Sequence, residues 1–221
     1  MSKVIFRFDK EKDLRNNWHK SNWKEPFSSE FKIDPKIKEI CSGKTFEECK
    51  EDLSDYLSKM QNSPYINLTV QSLEKAWRII EKEFFGRMDR IMKNKFIGEI
   101  HAYLTTLGTC PYNPEDSSFM FSIHYALLKN LQTCGHEIMH LYFHRFYWDK
   151  IEEQVGKEKT ADLKEALTVL LNFEFKDLWF VMDFGYESHN ELRRFITEEW
   201  KEEKDFDLLL DKCVQFLKSK L

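Results

Sequence analysis

The chain reads as an α+β protein, predominantly helical, with a small β-sheet or hairpin packed on one of its helices. Three observations carry that reading. Gly and Pro are scarce, at 7 and 5 of 221 residues, which favours long helices over a strand-rich sandwich. Long stretches repeat apolar residues at spacings of three and four, and only short ones have a β character. At 42% hydrophobic and 15% aromatic, with 19 Phe, the chain can bury a core of its own.

The elements follow in order. Val4-Ile5-Phe6-Arg7-Phe8 is short and β-prone, a first strand near 3–8. Residues 10–62 are charged and carry turn signals at Pro26-Phe27-Ser28-Ser29, Asp34-Pro35 and Ser42-Gly43, so two or three short helices are expected. One covers 45–61, because Thr45-Phe46-Glu47-Glu48 fits a capping box. A long amphipathic helix is expected over 69–94, where Leu73, Trp77, Ile80, Phe84, Met88 and Ile91 share a face; such a stripe reads as core packing. Residues 96–107 turn β in character, the segment from Gly108 to Ser118 is turn-rich, and a strand follows near 118–124, which reads as a hairpin with a longish loop. Helices are then expected over 125–148 and 160–172, with a turn at Val155-Gly156-Lys157 between them. The last third is helical, broken at Asp183-Phe184-Gly185-Tyr186. Three regions result: 1–95, mainly helical and of unclear role; 96–172, around the motif described next; and 173–221, a helical subdomain closing a cleft.

Charge and cysteine usage narrow the function classes. A net charge of −4 with interleaved signs gives no electrostatic case for nucleic-acid binding. The five cysteines, Cys41, Cys49, Cys110, Cys134 and Cys213, contain no CxxC pair and form no disulfide framework. The N-terminus has no apolar stretch long enough for a signal peptide, and no run of ~18 apolar residues occurs, so no membrane span is expected and the cytoplasm is the expected location. Asn67-Leu68-Thr69 then matches the glycosylation sequon only incidentally.

The most informative run is His136-Glu137-Ile138-Met139-His140. Two histidines four apart on a helix stand one turn (~6 Å) apart on one face and can share a zinc ion. Glu137 between them can reach the fourth zinc position and take a proton from a water there. A catalytic zinc usually has three protein ligands, and His144, Glu158 and Glu165 compete to be the third. His144 stands ~12 Å along the axis from His136, and no Pro or Gly between 138 and 147 breaks the helix to bring it back. Glu158 sits among charged neighbours and reads as surface. Glu165 flanks the apolar face made by Leu163, Ala166, Leu167 and Leu170, where a carboxylate is costly unless paired or bound to metal. The alternative for Glu165 is a helix-flank carboxylate beside Lys159 or Lys164.

His136-Glu137-x-x-His140 with a distal Glu165 in Lys-Glu-Ala-Leu resembles the gluzincin branch of the zinc metallopeptidases. With His144 at its spacing, it is also similar to the ImmA/IrrE group of intracellular regulatory peptidases. The resemblance covers roughly residues 96–172. It implies Zn2+ held by His136, His140 and Glu165, with Glu137 as general base and then acid toward the leaving amine. It also implies an outer strand that lines the cleft and pairs with an extended peptide or protein substrate. Many such enzymes add a Tyr or His for the oxyanion, and Tyr186 and His189 beside the 183–186 break are placed for that role; the alternative is an ordinary loop with a helix N-cap at Ser188. His101 on the presumed edge strand, His124, Cys134 and the aromatic end of the motif helix read as structural.

Two rival functions remain at this point. One is a zinc-binding regulator without a productive cleft. The other is a metal-free helical interaction module, with Trp18, Trp23, Phe27 and Phe31 as its partner surface.

Overall fold

A computed structural model describes residues 2–23 and 33–220. The turn expected at 26–29, and Phe27 and Phe31 of the expected partner surface, lie outside the described residues. The fold is α+β and mostly helical. In order, the elements are β1 (Lys3–Phe8), α1 (Lys10–Asn22), α2 (Pro35–Cys41), α3 (Phe46–Gln61), α4 (Pro64–Ile91), β2 (Glu99–Thr105), β3 (Tyr112–Asn113) and β4 (Ser118–Ser122). The helices α5 (Leu127–Phe146), α6 (Trp148–Val155), α7 (Lys157–Leu167), α8 (Leu171–Glu174), α9 (Lys176–Trp179), α10 (Asn190–Glu202) and α11 (Phe206–Ser219) complete the chain.

Local chemistry sets most of the boundaries. The Glu48 carboxylate accepts from the Thr45 backbone N–H at 2.7 Å, so the capping box starts α3 where expected. The long helix α4 begins earlier than its apolar stripe, because Ser63 caps it and Pro64 occupies its first turn. The motif helix α5 stops at Tyr147 and resumes as α6. Gly156, at φ +82°, then turns the chain into α7, in a backbone conformation that L side chains rarely adopt.

The sheet differs from the expected hairpin. Its order is β1-β2-β4-β3, and β2 runs parallel to both β1 and β4, with Ala102 opposite Phe119. The true hairpin joins β3 to β4, inside the segment read as a loop. The connection from Thr106 to Ser117 is long enough to bring the chain back and start β4 in the same direction as β2, which a tight turn cannot do. His101 therefore lies on an internal strand, and the edge on this side is the two-residue β3, between Pro111 and Pro114.

One core runs through most of the molecule. Val4, Phe6, Ile100, Leu104 and Phe121 of the sheet pack with Trp77, Phe84 and Met88 of α4 and with Ile138 and Tyr142 of α5. Leu192, Ile196 and Phe206 from the C-terminal helices join the same core, so residues on either side of 95 and of 172 share it. A second, smaller cluster binds α1, α2 and α3 through Leu14, Ile37, Ile40, Phe46, Leu53 and Leu57.

What ties that cluster to the sheet is polar. The fully buried Asp13 accepts from the Thr106 N–H (2.7 Å) and the Thr105 hydroxyl (2.9 Å) with one oxygen, and from Gln61 Nε2 (2.9 Å) with the other. Asn16 donates to the Thr105 hydroxyl and Asn17 to the Thr106 hydroxyl. A buried carboxylate is tolerable only when satisfied in this way. Replacing Asp13 by Ala strands several donors and is expected to cost roughly 2–4 kcal/mol of stability. Chemical denaturation would measure it, with the part-exposed Glu11→Ala as a control expected to stay within about 0.5 kcal/mol.

Candidate metal centre

His136 and His140 lie on one face of α5, and α7 crosses that face with Glu165 aimed between them. Glu165 Oε2 stands 3.6 Å from His136 Nε2 and 3.6 Å from His140 Nε2. The Glu137 carboxylate lies beside them, 3.5 Å from His140 Nδ1. One ligand atom each from His136, Glu137 and His140 falls within 4.8 Å of the others, close enough for a metal ion. The other two contenders are elsewhere: the His144 ring stacks on Trp148 at 4.3 Å, and Glu158 is exposed.

Asp183 orients the site. Its Oδ2 accepts from His136 Nδ1 at 2.7 Å and from Gln132 Nε2 at 2.8 Å. Its Oδ1 takes Arg193 Nη2 at 3.0 Å, and Asn172 grips the Asp183 backbone at both N–H and C=O. Asp183 holds the Nδ1 proton, which leaves Nε2 facing Glu165 as the atom a metal would take in place of a proton.

Two glycines let these parts approach. A Cβ at Gly135 would lie 2.5 Å from the Trp179 indole, so only Gly lets the start of the 180–186 loop sit directly on α5. A Cβ at Gly185 would lie 2.6 Å from the Arg193 guanidinium, and its φ of +64° is unfavourable for any other residue.

The electrostatics are those of a buried, charged site. Burial would lower the His136 pKa, but the Asp183 carboxylate outweighs it and raises it to about 10. His140 goes well below the usual histidine range, chiefly through burial and then through the Lys164 charge. Burial would raise Glu165, yet the positive charge around it, including the Lys164 ammonium 2.8 Å from Oε1, holds it well below. Glu137 is pushed up to about 8, mainly by burial.

These groups face a cavity of about 650 Å³. Asn16, Lys20 and Trp23 of α1 and its end form one wall, Tyr112 of β3 another, and Asp162, Glu165 and Tyr186 line it with the α5 histidines. Of the two expected oxyanion donors, Tyr186 lines the cavity and His189 does not. The His189 ring is buried, with Nε2 3.1 Å from Asp162 Oδ1 and its plane edge-on to Tyr186. Ser188 lies within a short 3-10 turn, and His189 is the N-cap of α10. Trp18 packs on Phe46 and donates to the Lys44 carbonyl, and Trp23 lines the cavity, so neither stands out as partner surface.

Sequence reasoning missed Asp183, Gln132, Tyr112 and the role of α1. Asp183 sat in view within a break between helices, but nothing in its neighbours pointed back to residue 136. No family model matches the chain, and neither a curated protein nor a solved structure matches it.

Two outcomes test this geometry. Asp183→Asn keeps the size but weakens the hold on His136, and is expected to lower metal affinity by ~10–100-fold in a competition titration with a chelator. The second concerns pH. In the metal-free protein Glu137 holds its proton more tightly than in the unfolded chain, with about 8 against its ordinary 4.5. Its stabilising contribution is complete below about pH 4.5 and disappears as pH rises to about 8. Glu137→Gln has no such loss, so denaturation at pH 5 and pH 8 should show the variant gaining on the parent at the higher pH. An unchanged gap would remove the raised pKa.

Proposed function

We propose that this chain is a zinc-dependent metallopeptidase, with His136, His140 and Glu165 as zinc ligands and Glu137 as general base. The observation that carries it is the position of Glu165, whose oxygen is 3.6 Å from both imidazole Nε2 atoms. Ligands with bonds of ~2.0–2.1 Å in a tetrahedral set stand ~3.4 Å apart, so the Glu165 oxygen needs to close on each imidazole nitrogen by only a few tenths of an ångström. The fit has independent support in His140. Both its ring nitrogens are buried with no hydrogen-bond partner, a costly state that a metal on Nε2 relieves. Two imidazoles and one carboxylate leave a fourth position open, and such a donor set suits zinc.

Zinc bound there would supply Lewis acidity, polarising a scissile carbonyl and acidifying water. Glu137 takes the proton of the attacking water and delivers it to the leaving amine. Asp183 keeps His136 oriented throughout, and the cavity between α1 and α7 admits the peptide. A peptide or protein segment is the substrate class, with no role for nucleic acid. Strand addition has little edge to use: β3 offers two residues, and Pro111 on its near side lacks an N–H. Among the described residues no helix is long and apolar enough to cross a membrane. All five cysteines are thiols, which fits a reducing compartment, and we assign the protein to the cytoplasm.

Zinc per chain by elemental mass spectrometry tests the assignment. Near one equivalent is expected in the parent and in His144→Ala and Glu137→Gln, with loss in Glu165→Ala. Cleavage of a fluorogenic peptide library is expected from the parent and His144→Ala, and at least ~10³-fold less from Glu137→Gln. A parent that takes up no zinc after reconstitution would sink the reading. Zinc without cleavage would favour a non-catalytic zinc-binding regulator.

A further inference from the structure

Lys20, Lys129 and Lys164 line the cavity, each in a different setting. Lys164 is engaged with Glu165, its ammonium 2.8 Å from Oε1. Lys20 is buried, with its ammonium 3.8 Å from the centroid of the Trp23 ring. Lys129 is part-exposed and gives its ammonium to a neutral group, donating to Gln132 Oε1 at 2.6 Å. Among the described residues no carboxylate pairs with it. The acids of the cavity are already engaged: Asp183 with His136 and Arg193, Asp162 with His189, and Glu165 with Lys164. Glu137 lies against His140.

Lys129 shares a helix face with the proposed ligands. Residues 129, 132, 136 and 140 follow at spacings of three, four and four, which stacks Lys129, Gln132, His136 and His140 along one side of α5. Lys129 stands two turns before His136, ~10 Å along the axis. An extended peptide rises ~3.3 Å per residue, so a group about two to three residues from a bond held at His136 comes level with Lys129. The ammonium is held in place. Gln132 is buried and its Nε2 donates to Asp183, so its Oε1 is a fixed acceptor for Lys129. That bond uses one donor of the ammonium and leaves two. The lysine also occupies the first turn of α5, where the helix dipole favours an anion, and neither an acidic side chain in that turn nor a side-chain cap offsets the charge. The wall thus carries a positive charge that the protein's own anions do not answer.

Resting on the metallopeptidase reading, we propose that Lys129 is a specificity-determining residue that binds a carboxylate of the peptide substrate, about two to three residues from the scissile bond. An ammonium and a carboxylate make a charge-assisted hydrogen bond, roughly twice as strong as one between neutral groups. Because Gln132 already holds the ammonium, little freedom is lost when the carboxylate arrives. Gln132 orients the charge without neutralising it, which a carboxylate in its place would do. A neutral amide on the substrate leaves that charge unanswered, and a basic side chain meets a like charge. The carboxylate has two sources, an acidic side chain or the free C-terminus of the peptide.

The test uses the full chain loaded with zinc and peptides that differ only at the proposed carboxylate. One pair carries Glu or Gln about two or three residues from the cleaved bond, on either side of it. The other pair ends at that distance in a free carboxylate or an amide. In one of the pairs the parent should favour the acid by ~10-fold or more in kcat/KM, mainly through KM, and that pair names the source. The preference should fall to within about twofold in Lys129→Met, persist in Lys129→Arg, and turn toward a Lys-bearing peptide in Lys129→Glu. A merely structural loss at Gln132 would slow every peptide alike and leave the ratio, which is internal to each variant and independent of how much of it is folded. Binding gives a readout without turnover. In zinc-loaded Glu137→Gln, calorimetry should show the acid bound ~10-fold more tightly than its amide, and the two bound alike once Lys129→Met is added. Should Lys129→Met fail to fold, Lys129→Gln is read in its place. A parent that treats acid and amide alike in both pairs, or a preference that survives in Lys129→Met, overturns the proposal, while zinc and cleavage in the parent leave the metallopeptidase reading standing. A parent without zinc or cleavage removes both.

Discussion

The carboxylate of Asp183 reaches from an irregular loop into the side of α5, and the arrangement of the site depends on it. One oxygen holds His136 and Gln132, the other Arg193, while Asn172 fixes the backbone that carries it. A charge this buried survives only because every side of it is answered, and its own pKa is held below the ordinary range. Burial works against that shift; the positive charge at His136 and then at Arg193 overcomes it. The same contacts join four separate stretches of chain, from α5, α8, the loop and α10. The contact that aims the imidazole is therefore also one that seats the C-terminal helices.

A second buried carboxylate does the equivalent work on the far wall of the cavity. Asp13 holds α1 to the end of β2, and α1 in turn presents Asn16, Lys20 and Trp23 to the cavity. The small apolar cluster of α1, α2 and α3 has its own core, so its seating on the sheet relies on a polar network whose geometry is directional. Apolar packing alone would tolerate small slips of α1, whereas hydrogen bonds to one carboxylate do not. The N-terminal region thereby acquires a definite part in the molecule as one wall of the cavity.

Elements with a strong local signature were legible from the sequence: the capping box at Thr45, the stripe of α4, the motif helix, and the break at 183–186. The pairing of β2 with β4 was not. Two β-prone stretches joined by a turn-rich segment look the same whether they form a hairpin or lie parallel. The difference lies in β3, two residues long and too short to read, which reverses the chain once more before β4. Tyr112 was overlooked for the same reason, as an aromatic in a run dominated by Pro, Asn and Asp.

The sequence by itself determined the helical bias, the pairing of His136 with His140 on one face, and Glu137 between them, because an α-helix imposes its period on neighbours within a turn. It also singled out Glu165, since a carboxylate beside an apolar face needs a partner. Tertiary structure decided the rest. Only the crossing of α7 over α5 sets Glu165 at equal distances from two imidazoles. Only the close approach of Trp179 to Gly135 brings the Asp183 loop to His136. Only β3 brings Tyr112 against His140. Each of these contacts joins residues at least 25 positions apart, where no local period connects them and the packing of whole elements fixes the distance.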